Sequence, residues 1–429
     1  MTKYVLYETD TGKQVKQTNK SCRPASAIHN HLSRLILRRD TASLLRQPSA
    51  KMSSSPMPSR TSPDVLEELQ LHAAQNLEKV EISRYYEVIR ELGKGTYGKV
   101  DLVVHRIRGT KMALKFLCKK TTNLRSFLRE YSISLYLSPC PFIIDMLGIA
   151  FQTDEYYIFA QEYALAGDLF DIIPPQVGLP EVVAKRCGRQ VAVALDYLHC
   201  KKLVHRDIKP ENVLLFDREC HRVKLSDFGM AQWAGAPVRR VSGTIPYTAP
   251  ELSQAAPWQG ICVDYSLDVW AFGVLLFCTL TGNFPWEAAL PSDPFYQEFL
   301  RWQRRPSPAP VPTQWRRFSD EALHTFRRLL SPEPPCRCAA RDVLSQLGCR
   351  WTLPEGSGED ARDARAEPGS PPPEEEQQLV DRMKQQTLSP AADEEEEEEE
   401  ENQAVVAVET GSRVLLAAPI EICVSHHSR

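Results

Sequence analysis

The chain has 429 residues, 42% hydrophobic and 25% charged, enough apolar material for one large core or two lobes, and its net charge of −3 gives no reason to expect a nucleic-acid partner. No apolar run approaches the roughly 20 residues that cross a bilayer, and the N-terminus lacks a secretory apolar stretch, so no membrane span is expected. The twelve cysteines are scattered without a C-x-x-C pair, which argues against a zinc site or disulfide framework and for a reduced setting, the cytoplasm with nuclear access open.

Charge is uneven: Lys and Arg minus Asp and Glu gives +5 over residues 1–84, +6 over 85–350 and −14 over 351–429. Residues 1–63 are rich in Ser, Arg and Lys, with a Ser/Pro linker at 53–59, and are expected to be disordered. A transit peptide is the weaker reading because Glu8 and Asp10 come early, and Met52 is a second candidate start. Over 64–84 an amphipathic helix and linker are expected: Val65, Leu66, Leu69, Ala73, Leu77 and Val80 approximate one helical face, with Asp64 placed to cap. Packing of that face on the following domain is the preferred reading, and docking to a partner the alternative.

Residues 92–100 carry Leu92, Gly93, Gly95, Gly98 and Val100 between alternating apolar strands. A glycine-rich hairpin is often a plain turn, but glycine also lets backbone lie against a ligand where a Cβ would hold it away. A dinucleotide fingerprint would need a helix opening directly from the glycines, whereas here a second strand follows, ending Met112, Ala113, Leu114, Lys115. Lys115 is a charge in an apolar strand and needs a partner; Glu130, in the helical pattern that follows, is the candidate. Then come Gln161, Glu162, Tyr163 and Ala164; the run His205, Arg206, Asp207, Ile208, Lys209, Pro210, Glu211, Asn212; the triplet Asp227, Phe228, Gly229; residues 242–251, from Ser242 through Thr244 to Glu251; and Asp268 opening an apolar helix.

Seven ordered motifs agree, and the chain from about Tyr85 to about Gly348 resembles the eukaryotic protein kinase superfamily. Residues 168–180 and 282–287 resemble the SH3-binding-domain kinase family specifically. The resemblance implies an α+β, two-lobed kinase fold with disordered terminal tails: a β-rich N-lobe over 85–161, a hinge at 161–165, a helical C-lobe over 166–350 and an acidic, Pro-containing tail over 351–429. It implies ATP and Mg2+ as cofactors and transfer of the γ-phosphate to protein hydroxyls. Asp207 is then the carboxylate that orients the acceptor hydroxyl and takes its proton, Lys209 a γ-phosphate contact, and Asn212 and Asp227 the magnesium ligands. Lys115, held by Glu130, reaches the α/β-phosphates under the glycine loop. Val100, Ala113 and Leu214 would enclose the adenine, with Glu162 in the hinge beside it.

Lys209 two residues after Asp207, with Thr244 seven before Glu251, resembles the serine/threonine class. Glu211 and Asp168 are expected to play plain loop and cap roles; they also stand where relatives place carboxylates that read arginines before the acceptor, and a preference for basic substrates is the alternative. Glu251 and Arg337 match a structural ion pair of the large lobe. Arg240 occupies the usual phospho-acceptor position, so the anion site implied by Arg206 has Ser242 as its candidate partner; constitutive activity is the other reading. Ser134 stands where many kinases have an apolar residue, so the helix carrying Glu130 is expected to need support from the segment around Leu69 to Leu77. In the tail, residues 365–371, from Arg365 to Pro371, fit a basic-x-x-P-x-x-P ligand for SH3 domains, and the acidic run at 393–401 reads as a solvated spacer. A pseudokinase would be expected to lack Lys115, Asp207 or Asp227, and all three are present; an SH3-ligand scaffold with secondary kinase activity is the alternative.

Overall fold

A computed structural model describes residues 62–353 apart from 96–97, 239–244, 255–259 and 306–309. The expectations for residues 1–61, for Thr96, Tyr97, Arg240, Ser242 and Thr244, and for the tail beyond 353 lie outside the described residues.

The first element, α1 (Ser62–Gln75), buries Leu66, Leu69 and Ala73. It ends seven residues before a short helical turn at Ile82–Tyr85, and the intervening chain runs extended along the sheet edge, so the expected 64–84 segment is half helix, half strap. The N-lobe is a five-stranded antiparallel sheet of β1 (Tyr86–Lys94), β2 (Gly98–His105), β3 (Lys111–Cys118), β4 (Met146–Gln152) and β5 (Tyr156–Gln161), in the order β1-β2-β3-β5-β4. Register shifts between Val88 and Arg90 and between Glu91 and Gly93 mark irregularities in β1 as it enters the glycine hairpin. Helix α2 (Leu124–Leu137) lies between β3 and β4 in the chain and is capped by Asn123, whose side chain accepts from Ser126 N at 2.9 Å.

The C-lobe is mostly helical: α3 (Glu181–Cys200), α4 (Ser266–Thr281), α5 (Pro294–Arg304) and α6 (Asp320–Leu329). Short strands β6 (Leu203–Val204), β7 (Val213–Leu215), β8 (Val223–Leu225) and β9 (Gln232–Trp233) pair as β6 with β9 and β7 with β8. Helix α4 is buried along its whole length, which explains why its sequence is apolar all round rather than on one stripe. Its Trp270 and Phe277 pack in tilted contacts on Trp286 and Trp315, and Phe299 packs on both of these. Gly282 ends the helix at φ 69°, where a Cβ would lie 2.3 Å from the carbonyl oxygen of Pro174, so only glycine fits.

The lobe does not end at 350. Trp351 is 1% exposed, its indole donates to the Gln346 carbonyl at 2.9 Å, and Glu181 in the first turn of α3 accepts from the backbone N–H of Trp351 and Thr352 at 2.9 and 2.8 Å. The expected tail boundary at 351 therefore moves past Leu353, because one buried tryptophan and a carboxylate hold a stretch whose composition reads as tail.

Candidate active site

Between the lobes, two clusters of charge face each other. On the N-lobe side, β3 directs Lys115 at the carboxylate of Glu130 on α2, 2.7 Å away, and at Asp227, 3.0 Å away. Burial works against the Lys115 ammonium, but Asp227 and Glu130 outweigh it and raise its pKa, so it stays charged. For Asp227, burial is overcome by Lys115 and by the Gly229 N–H, which bring the carboxyl down to about 2. Burial moves Glu130 the other way, above the ordinary carboxylate range, with Lys115 opposing. The Asp227 side chain is 42% exposed and that of Glu130 only 9%, so it is Asp227 that is accessible to a ligand.

On the C-lobe side, the chain leaves β6 into a loop of forced geometry. Arg206 has φ 70° and Asp227 φ 59°, both in the left-handed region that non-glycine residues avoid. The anchor for the first is Asp268 at the start of α4: Oδ1 accepts from Arg206 N at 2.8 Å and Oδ2 from His205 N at 2.8 Å, while His199 Nε2 lies 2.9 Å from Oδ2. Burial works against the Asp268 carboxylate, yet His199, His205 and these N–H donors hold its pKa below the ordinary value. His205 accepts from Asp207 N at Nδ1 (3.2 Å), so Nε2–H donates to the Ser226 carbonyl at 3.0 Å and ties the loop to the residue before Asp227.

This framework brings Asp207, Lys209 and Asn212 together. Asp207 Oδ2 lies 3.1 Å from Lys209 Nζ and accepts from Asn212 Nδ2 at 2.9 Å; that amide also donates to the Asp207 carbonyl at 2.7 Å. Asn212 accepts from Ser226 N at its own carbonyl, 2.8 Å, fixing it beside Asp227. The donor set of Asn212 and Asp227 is all oxygen, suited to a hard divalent cation.

The apolar walls come from paired strands. Ala113 stands opposite Leu102 and Gln161, Val100 opposite Lys115, and Leu214 lies on β7 next to the isolated bridge with Asp168. Gly98 is required for a reason the sequence does not reveal: a Cβ there would sit 1.7 Å from the Phe116 carbonyl oxygen of β3, whereas Gly93 and Gly95 have nothing within 4 Å. Leu92 is half-buried at the mouth of the hairpin.

The Glu162 side chain turns away from the cleft. It accepts from Asp145 N at 2.7 Å, pairs with Lys224 of β8, and lies 3.2 Å from Arg222, while its own N–H donates to the Asp145 carbonyl at 2.9 Å. Only its carbonyl remains to meet a base edge. Sequence reasoning missed this tie and the anchoring role of Asp268, which it read only as the head of an apolar helix; the signal for the tie was a charged residue three positions before Asp227.

Asp168 and Glu211 also lie near each other. Burial, then Asp171 and Glu211, raise the Asp168 carboxyl to about 6; burial likewise raises Glu211, whose Oε2 is buried with no hydrogen-bond partner among the described residues. Beside the loop, Arg206 donates to the Met230 carbonyl at 3.2 Å, and burial with the neighbouring Arg129 of α2 lowers its pKa. Glu251 and Arg337 form a bidentate pair at 2.6 and 2.7 Å below the site.

Residues 86–347 match the family described as protein kinase domain. The chain is 73% identical over 307 residues to serine/threonine-protein kinase SBK1 of Danio rerio, covering 72% of this chain and 79% of that protein. It is 58% identical over 294 residues to SBK1 of Mus musculus (68% and 70% covered) and 43% identical over 306 residues to serine/threonine-protein kinase SBK2 of Homo sapiens (71% and 88% covered). No helix among the described residues is long and apolar enough to cross a membrane. With a protein kinase domain over residues 86–347 and serine/threonine kinases among its similar proteins, the chain belongs to the protein kinase family and is a serine/threonine kinase that uses ATP and acts on protein substrates.

Proposed function

We propose that Asp207 takes the proton of a Ser or Thr hydroxyl as the γ-phosphate of ATP is transferred to it. The observation that carries this reading is the meeting of Asp207, Lys209, Asn212, Asp227 and Lys115 in one cleft, each within hydrogen-bonding reach of another. Asp207 Oδ2 is the oxygen held by Lys209 and Asn212, which leaves Oδ1 to orient the hydroxyl and receive its proton. Lys209 keeps its charge next to the transferring phosphoryl group, and Lys115 reaches the α/β-phosphates from β3. Asn212 and Asp227 would hold Mg2+, which when bound neutralises charge on the phosphates. Val100, Ala113 and Leu214 enclose the adenine, the Glu162 carbonyl meets its edge, and Leu92, Gly93, Gly95 and Gly98 lay backbone over the phosphates.

The favoured protein substrates carry arginine before the acceptor. The support is Glu211, with a buried carboxylate oxygen lacking a partner, next to Asp168; a guanidinium would satisfy both. Residues 365–371 would engage SH3-domain proteins, and the scattered cysteine pattern of the sequence is the support for a cytoplasmic setting. Autophosphorylation at Ser242 would supply the anion for Arg206 and Arg129. A peptide-array phosphorylation assay with wild type and Asp207→Ala tests the mechanism: the variant should lose at least about a hundredfold in kcat. Unchanged activity would refute it.

A further inference from the structure

Helix α2 must hold Glu130 against Lys115, and two positions of its otherwise apolar buried face are serines. Ser132 and Ser134 are 0% and 3% exposed, and Ser132 Oγ has no hydrogen-bond partner among the described residues. Polar atoms at such positions supply little apolar adhesion and leave a donor unmet. Phe127, Leu128 and Tyr131 of the same helix nevertheless belong to one apolar cluster with Leu66, Leu69 and Ala73 of α1, and the two helices lie in contact. Here α1 covers α2 with a face that includes two leucines below 6% exposure.

The chain then continues from α1 to the other side of the lobe. Gln152 at the end of edge strand β4 receives it on three hydrogen bonds: Gln152 N donates to the Glu78 carbonyl at 3.0 Å, Val80 N to the Gln152 carbonyl at 2.9 Å, and Gln152 Nε2 to the Leu77 carbonyl at 3.0 Å. Lys119, at the end of β3, donates to Gln152 Oε1 at 2.8 Å and to the Thr153 carbonyl at 2.7 Å, so the anchor is fixed to the strand that carries Lys115. The strap is thus fastened at both ends, to α2, which carries Glu130, and to the sheet, which carries Lys115. All of it precedes residue 86, where the match to the kinase domain begins.

We infer that residues 62–80 are part of the catalytic unit, a built-in clasp whose Leu66, Leu69 and Gln152 contacts keep α2 turned inward and so act as positioning residues for the Lys115–Glu130 pair. The inference rests on the proposed role of that pair. With the clasp opened, α2 populates an outward position, and turnover falls by the fraction of molecules in which Glu130 is displaced.

The test uses the full chain. Leu66→Asp/Leu69→Asp is compared with Leu66→Met/Leu69→Met, with Leu71→Asp on the exposed side of the same helix, and with Glu130→Gln. Kinetics are measured per folded, nucleotide-binding molecule, alongside amide hydrogen exchange of α2. The aspartate pair should lower kcat about tenfold or more and speed exchange across α2. The methionine pair should restore kcat, and Leu71→Asp should match wild type. Wild-type kcat per folded molecule in the aspartate pair, with α2 exchange unchanged, overturns the clasp. Should Glu130→Gln keep full activity, it is the role of the ion pair that fails; loss in Glu130→Gln but not in the aspartate pair refutes the clasp alone.

Discussion

Replacing Glu251 with Gln removes a charge without changing shape, and its effect can be worked from the geometry. The Arg337 side chain is 0% exposed and makes four hydrogen bonds: Nη1 and Nη2 to the two Glu251 oxygens at 2.6 and 2.7 Å, Nη1 also to the Ser266 carbonyl at 3.0 Å, and Nε to the Ser331 carbonyl at 2.9 Å. It also lies over the Trp270 ring, 4.8 Å from the centroid. In Glu251→Gln the amide oxygen keeps one of the two bonds, but the guanidinium loses its only carboxylate in this contact and stays buried. Breaking a buried pair in this way costs about 3–5 kcal/mol. Because the Glu251 side chain is 24% exposed, water can reach its end of the pair, which places the cost at the lower end, about 3 kcal/mol. For a domain of this size each kcal/mol moves the melting temperature by about 2 °C, so a drop of about 6 °C is expected by calorimetry. The double variant Glu251→Met/Arg337→Met removes both charges together, and should melt above Glu251→Gln, losing about 1 kcal/mol for each carbonyl left without its donor. A melting temperature within about 1 °C of wild type for Glu251→Gln, or a double variant less stable than either single one, would refute the account of Arg337 as a cation dependent on its carboxylate.

The glycines of the hairpin should separate by mechanism. Gly98→Ala drives a Cβ into the Phe116 carbonyl and should lower the melting temperature measurably with no ligand present, while Gly95→Ala, with open space around it, should leave stability within about 0.5 kcal/mol of wild type and instead raise KM for ATP. Equal melting temperatures for the two variants would overturn the assignment. The Asp168 carboxyl, held at about 6, gives a pH test of the basic-substrate reading. It is ionised above that pH and protonated below it, so KM for an arginine-containing peptide should rise as pH falls through about 6, and Asp168→Asn should flatten the dependence. A flat wild-type profile between pH 5 and 8, roughly the range over which such a group would titrate, would remove Asp168 from substrate recognition.

What could be read in the sequence and what could not divides along a physical line. Asp207, Asn212 and Asp227 were legible through their resemblance to kinase motifs, and for the first two the contact is also local: Asn212 reaches Asp207 across five residues with an amide hydrogen bond of 2.9 Å. The Lys115–Glu130 pair was legible for a similar reason, as a charge in an apolar strand that demands a partner. Asp268 was not, since its partners His205 and Arg206 lie more than sixty residues earlier and nothing local announces that an aspartate heading an apolar helix will accept two backbone N–H groups of a distant loop. Gly98 was legible as a glycine but for the wrong cause, because the close approach of β3 is a property of the sheet and not of the hairpin. Trp351 was lost inside an acidic, polar context, although Glu181 and the hydrophobic floor of the C-lobe hold it. The residues proposed to act on the substrate are therefore written locally, and those that hold them in place are written across the fold. It follows that the left-handed backbone at Arg206 is held across the fold by Asp268, while that at Asp227 is tied through the Ser226 carbonyl to His205. A substitution at Asp268 should accordingly disturb Asp207 more than any change in the residues that flank it.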